Sequence, residues 1–155
     1  MIEILKPGPL ASVQDRGRHG LRQLGICPGG ALDTLALTVA NRLVGNDDDA
    51  AGLEITLGNC EIRFHAATRI ALMGDASGAR LDDKAVPAGW SVPVEAGQVL
   101  RLQGQASGQR PGLRTWLAAA GGIDVEPMLG SRSTGLKAGF GGLEGRALRK
   151  ADRLP

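Results

Sequence analysis

Twenty-four of the 155 residues are glycine, and they follow no fixed period. Glycine in a helix interior costs about 1 kcal/mol relative to alanine, so a helix bundle is the wrong architecture for this chain. The missing G-X-Y period also excludes a collagen-like rod. What remains is a many-stranded protein with tight turns and bulges, where glycine supplies backbone angles that other residues avoid. Hydrophobic residues at 43% and charged residues at 22% are ordinary for a globular protein, and the length allows one domain, or one domain and a fragment.

Several function classes drop out at once. Lys and Arg number 18 against 16 for Asp and Glu, and the two signs are interspersed. The one basic cluster, Arg146, Arg149, Lys150 and Arg153, reads as a solvated edge. With aromatics at only 3%, the chain lacks the stacking platforms of single-strand nucleic-acid binders, and no nucleic-acid partner is expected. No apolar run approaches the roughly 20 residues that cross a bilayer, and the N-terminal segment has no signal-peptide pattern. Cys27 and Cys60 are far apart and read as reduced thiols of a cytoplasmic protein. Neither His19 nor His65 stands at ligand spacing from a cysteine, so no metal site is expected.

Along the chain, Ile2–Leu5 alternates and meets the turn Pro7-Gly8-Pro9. Val13-Gln14-Asp15-Arg16-Gly17-Arg18-His19-Gly20 reads as a polar loop. One early helix is expected over about 33–45, with Asp33 as N-cap and Gly45-Asn46 as its stop. Its apolar stripe reads as Leu35, Val39 and Leu43, with Ala36, Ala40 and Val44 beside them. After Asp47-Asp48-Asp49, a short turn, the period becomes two. Leu53 and Ile55 then face a core and Glu54 the other side. Further strands are expected at 62–64, 69–73, 79–81, 99–102 and 113–118, with hairpin turns at Asp82-Asp83-Lys84 and Glu95-Ala96-Gly97-Gln98. The fold class is therefore mainly β, an antiparallel barrel or sandwich with one helix. Residues 1–120 form that unit, and the glycine-rich stretch 121–155 reads as an extended loop or a crossing into another domain.

Few side chains stand in a pattern that chemistry demands. Gly130-Ser131-Arg132-Ser133-Thr134-Gly135 with Lys137 has the outline of a phosphate loop, but Leu136 separates the lysine from the second glycine. Its amides and Arg132 suit a carboxylate or carbonate-like anion, or else the glycines serve a compact crossover. Asp15, Arg16 and Arg18 are either a site or a local ion pair. Glu54 faces solvent or the far side of the sheet, where it would orient a substrate amide. Ser12, Ser133 and Cys27 have no histidine at a recognisable spacing, so a hydrolase triad has no support.

Several motifs in order carry a resemblance. They are Val13–Gly20, Pro28-Gly29-Gly30-Ala31-Leu32-Asp33, Ala40–Asn46, Leu53–Gly58, and Ala120-Gly121-Gly122-Ile123-Asp124-Val125 followed by Leu129–Thr134. Together they resemble the biotin-dependent carboxyltransferase family called allophanate hydrolase subunit 2. That family includes the KipI antagonist KipA, the C subunit of the ATP-hydrolysing 5-oxoprolinase and part of urea carboxylase. The resemblance implies a cyclophilin-like antiparallel β-barrel and a second subdomain beyond residue 155. It implies one component, or a fragment of one, in an enzyme that processes a small amide or lactam, inactive as an isolated chain. Implied partners are a KipI-like protein, the B subunit of 5-oxoprolinase, and a LamB/YcsF-type protein, its A subunit, with a homo-oligomer also compatible. ATP and carboxybiotin would come through those partners, with no cofactor bound directly by this chain. The alternative is a non-catalytic regulatory module that holds a KipI-like partner. Substrate contacts are expected from Asp15, Arg18, Glu54, Ser131, Arg132 and Ser133, and structural roles from Asp33 and Asn41. One departure is Gly29, where the family usually has serine.

Overall fold

A computed structural model describes residues 1–103 and 112–155. Eleven strands and one α-helix follow in order among those residues: β1 (Ile2–Pro7), β2 (Leu10–Gln14), α1 (Thr34–Leu43), β3 (Gly52–Thr56), β4 (Cys60–Phe64), β5 (Thr68–Gly74), β6 (Arg80–Leu81), β7 (Lys84–Ala85), β8 (Ser91–Val94), β9 (Val99–Leu102), β10 (Arg114–Ala119) and β11 (Arg153–Leu154). A 3-10 turn lies at Arg22–Leu24. No helix among the described residues is long and apolar enough to cross a membrane.

The strands form two antiparallel sheets, ordered β11-β1-β4-β9-β6-β7 and β2-β3-β10-β5-β8. The mainly-β class with one early helix is therefore right, but the closed barrel is not seen. Among the described residues, ladder pairing stops at β11 and β7 in one sheet and at β2 and β8 in the other. The first sheet alternates along most of its length, with a register shift between Ile4 and Lys6. Ile2, Ile4, Cys60, Ile62, Phe64, Leu100 and Leu102 point into the core, while Glu3, Glu61, Arg63 and Arg101 face out. The second sheet is covered on both faces. Leu53, Ile55, Ile70, Leu72 and Leu117 meet the first sheet, whereas Ala71, Met73, Trp116 and Ala118 meet α1. Alternation explains this three-layer order, because successive strand residues point to opposite faces.

The helix confirms its cap and corrects its stripe. Asp33 accepts from the Ala36 amide at 2.9 Å, and Gly45, just past the helix end, takes φ +81. The buried stripe is Ala36, Leu37, Ala40 and Asn41, while Leu35 is 72% exposed. Small residues on that stripe let the helix lie close on Ala71 and Ala118, a contact the larger Leu35 face does not offer. Three further readings change. Val13 and Gln14 end the strand Leu10–Gln14 rather than starting a polar loop, since Ser12 and Gln14 are buried against β3. Ser91–Val94 is an additional strand despite Pro93, whose place on the sheet's edge costs no ladder bond. Glu95–Gln98 is not a hairpin turn but the corner that carries the chain from one sheet to the other.

The segment from Gly121 holds few ladder bonds yet packs tightly. Ile123, Val125, Leu148 and Leu154 all enter the core between the sheets. Arg146, in the basic cluster, folds onto Asp152 at 2.7 Å, which lowers that carboxyl below its usual range.

Candidate functional site

The loop after β2 meets the 128–141 loop through one carboxylate. Asp15 is 6% exposed and its oxygens take four donors. Oδ1 accepts from the Gly17 amide at 2.7 Å, the Ser131 hydroxyl at 2.7 Å and the Ser133 hydroxyl; Oδ2 accepts from the Arg132 amide at 2.5 Å. The Ser131 hydroxyl in turn accepts from the Ser133 amide at 3.0 Å, and the Ser133 hydroxyl from the Asp15 amide at 2.9 Å. Burial pushes the Asp15 carboxyl up, but the bonds from Ser133, Ser131, Gly17 and Arg132 outweigh it and hold it below the usual range. Both hydroxyls are buried and spent on Asp15, so neither is presented to a substrate as a nucleophile.

Arg18 is enclosed beside this group, 2% exposed. Its Nε donates to the Met128 carbonyl at 3.1 Å and its Nη2 to the Ser133 carbonyl at 2.6 Å, with the guanidinium 4.6 Å from the Phe140 ring centre. Only glycine fits at 141, since a Cβ there would collide with both Arg18 Nη2 and the Ser133 carbonyl oxygen.

Arg132 is pinned by its backbone and presents its side chain elsewhere. Its Nε donates to the Val125 carbonyl at 2.9 Å and its Nη2 pairs with the exposed Asp124 at 3.1 Å. Arg132 lines a cleft of about 570 Å³ between the end of α1 and the 120–124 turn. Gly45, Asn46, Asp47, Asp49, Gly121, Gly122 and Asp124 line it as well. Asn46 is locked, donating to the Asn41 side chain and the Ala119 carbonyl and accepting from the Gly121 amide. Asn41 itself is fully buried and donates to the Ala50 carbonyl at 2.7 Å, so Asn41 and Asp33 hold α1 and the cleft's wall in place.

Of the six expected contact residues, Asp15, Arg18, Ser131, Arg132 and Ser133 come together, and Glu54 stands apart. The Glu54 carboxylate accepts from the Leu32 amide at 2.7 Å and the Trp116 indole at 3.0 Å. Arg114 Nε lies 3.2 Å from its other oxygen, close enough to pair in charge but without hydrogen-bond geometry. Glu54 thus ties the entry of α1 to the second sheet. The cleft residues Asn46, Asp47, Asp49 and Asp124 were missed as site residues, and the Asn46-Asp47 step just past a helix stop was their one signal in sequence.

Other reactive groups lie outside this region. Cys60 is buried between the sheets, with its thiol pushed up to about 12 by desolvation and then by Glu61. His65 pairs with Glu3 on the outer face of the first sheet. Among the described residues, no group of three or more His, Cys, Asp or Glu could hold a metal ion.

Residues 24–155 match the family model described as carboxyltransferase domain, subdomain A and B. The chain is 54% identical over 157 residues to the C subunit of 5-oxoprolinase from Escherichia coli, a match covering 100% of this chain and 49% of that protein. It is 39% identical over 154 residues to the urea amidolyase of Saccharomyces cerevisiae, covering 99% of this chain and 8% of the relative. The crystal structure of K. lactis urea amidolyase superposes with a TM-score of 0.90 at 38% identity, covering 99% of this chain and 9% of that one. The chain spans about half the length of the 5-oxoprolinase subunits it matches.

Proposed function

The chain belongs to the carboxyltransferase family, subdomains A and B, and on that premise we propose that it is part of an enzyme subunit that processes a small amide or lactam. The 54% identity to the C subunit of a 5-oxoprolinase favours a cyclic amide over urea as the substrate. The observation that carries the reading is Arg132: Asp15 holds its amide, and the residue lines the cleft. An amide or lactam seated there presents a carbonyl oxygen, and charge that develops on that oxygen during activation is stabilised by a fixed cation. The side chains lining the cleft include no thiol, hydroxyl or imidazole among the described residues, so this chain supplies binding, orientation and charge rather than a nucleophile.

ATP does not fit the glycine loop. Gly135 and Phe140 close a bridge in place of the strand, loop and helix that cradle phosphates, and Lys137 is exposed. The cleft is lined by three acidic residues and one arginine, a balance that repels a triphosphate. We therefore derive no step through a nucleotide or carboxybiotin on these residues. Both are assigned to the KipI-like and LamB/YcsF-type proteins, the B and A subunits that would complete a cytoplasmic complex.

In the assembled complex, Arg132→Ala should lower kcat/KM for 5-oxoproline by more than about tenfold, equivalent to roughly 1.4 kcal/mol of transition-state stabilisation. Folding should change little, because a partly exposed pair is worth about 0.2–1 kcal/mol. Equal losses of melting temperature and activity, or unchanged kinetics, would reject the role.

A further inference from the structure

Arg18 is a buried cation with one nitrogen left over. Its Nε and Nη2 are engaged by the Met128 and Ser133 carbonyls, and the Phe140 ring covers the guanidinium. Its Nη1 has no hydrogen-bond partner among the described residues. No carboxylate there lies within 4 Å of the guanidinium, since Arg18 is in none of the eight ion pairs. Asp15, the acid nearest in sequence, already takes four donors. Buried guanidinium groups are ordinarily matched by a carboxylate or phosphate, because an uncompensated buried charge is costly.

The open side of Nη1 faces Gly29. That glycine is exposed, with φ +62, and a Cβ built on it would meet only Arg18 Nη1 at 3.3 Å and Ser133 Cβ at 3.9 Å. The shelf exists because the residue has no side chain. The loop that carries it cannot drift, since the Arg18 amide donates to the Pro28 carbonyl at 2.7 Å and the Ala31 amide to the Asp15 carbonyl at 2.9 Å. The amides of Gly29 and Gly30 have no acceptor among the described residues.

We propose that Arg18 Nη1 and the shelf at Gly29 form a subsite for one oxygen of a small carboxylate or carbonate. A single guanidinium carries the charge, which suits a monoanion better than the dianion of a phosphate. The two sources are the carboxylate of a cyclic amino acid and free bicarbonate. The first source rests on the lactam reading above; the second does not.

Amide and arginine side-chain NMR shifts of the full chain test this at constant pH and ionic strength, with chloride as the balancing anion. The probes are 5-oxoproline, 2-pyrrolidinone, which is the same lactam without a carboxylate, and sodium bicarbonate. Saturable shifts at Gly29, Gly30 and the Arg18 guanidinium are expected with 5-oxoproline and not with 2-pyrrolidinone. The same shifts with bicarbonate alone also support the subsite and assign it to carbonate. Gly29→Ala should weaken binding at least about tenfold by narrowing the shelf. Gly29→Asn is the second variant, because asparagine tolerates positive φ and its side chain can cover Nη1 while the fold is kept.

No saturable shift with either anion, equal shifts with 2-pyrrolidinone, or undiminished binding by a folded Gly29 variant would overturn the proposal. Its failure is separable from that of the lactam reading. A complex that turns over 5-oxoproline while the chain shows no carboxylate-dependent shift loses only the subsite; a chain that binds the anion in an inactive complex keeps it.

Discussion

The Asp15 carboxylate is the single atom group on which most of this region depends. Four donors from two distant loops converge on it, so an amide in its place would set an NH2 group against protein donors. Asp15→Asn should cost about 1.5–3 kcal/mol, the range for hydrogen bonds to a charged group. In a chain of this size that lowers the melting temperature by about 3–12 °C, measurable by calorimetry. Because the folded carboxyl lies below its usual range, its stabilisation is present above the ordinary aspartate range and is lost as pH falls through the folded value. Wild type should therefore lose stability between about pH 5 and pH 2 more steeply than Asp15→Asn, and parallel pH profiles would show that Asp15 contributes nothing charge-dependent. Glu54→Gln is predicted to act on folding first. The carboxylate holds the Leu32 amide and the Trp116 indole, so reduced stability at unchanged kcat/KM is expected in the assembled complex.

At the scale of elements, α1 and the second sheet are one unit. Leu37 packs with Trp116, and Ala40 with Ala71 and Ala118, while Asp33 caps the helix start. Asp33→Ala removes one accepted bond and should cost about 0.5–2 kcal/mol. Gly52→Ala should cost more, although its strand position looks tolerant. A Cβ there would lie 2.6 Å from the Leu117 carbonyl oxygen and 2.8 Å from Leu37 Cδ1, so helix and sheet must separate to admit it. The thermal midpoints should fall in that order, wild type above Asp33→Ala above Gly52→Ala; a Gly52→Ala variant as stable as wild type would mean that the interface yields more easily than its contacts suggest.

For the whole molecule, the packing lines the cleft with charged and small residues rather than with nucleophiles. Ser131 and Ser133 are buried on Asp15, Cys60 is buried with a raised pKa, and the cleft is lined by Arg132 and three aspartates. The purified chain should turn over neither 5-oxoproline nor urea, with activity gained only on reconstitution with partner subunits and the rest of a full-length relative. Turnover by the isolated chain in a coupled assay would contradict that division of work. The same packing sets the candidate subsite at Arg18 and the cleft at Arg132 on a single shared frame, the 131–133 loop held by Asp15.

Local pattern was enough for the elements whose side chains alternate over several residues. Ile2–Leu5 and Leu53–Ile55 were legible because a strand's period of two needs no knowledge of its partner, and Arg69–Met73 as a short apolar run ended by Gly74. Asp33 was legible because a cap is satisfied within its own first turn. Long-range contacts were not. Val13-Gln14 reads with the polar loop that follows, and Ser12 and Gln14 are strand residues only because β3 supplies the ladder and Thr134 an acceptor. Leu35 matches the helical period as well as Leu37 does, and only the alanines of the sheet beneath decide which face fits. Asp15 and Ser133 are 118 residues apart, and whether they meet each other or a substrate depends on how the glycine-rich return segment lies against β2. Sequence determined which residues carried charge and which segments alternated. Tertiary packing decided which of those charges were already satisfied, because burial and partner geometry depend on segments that are remote in the chain.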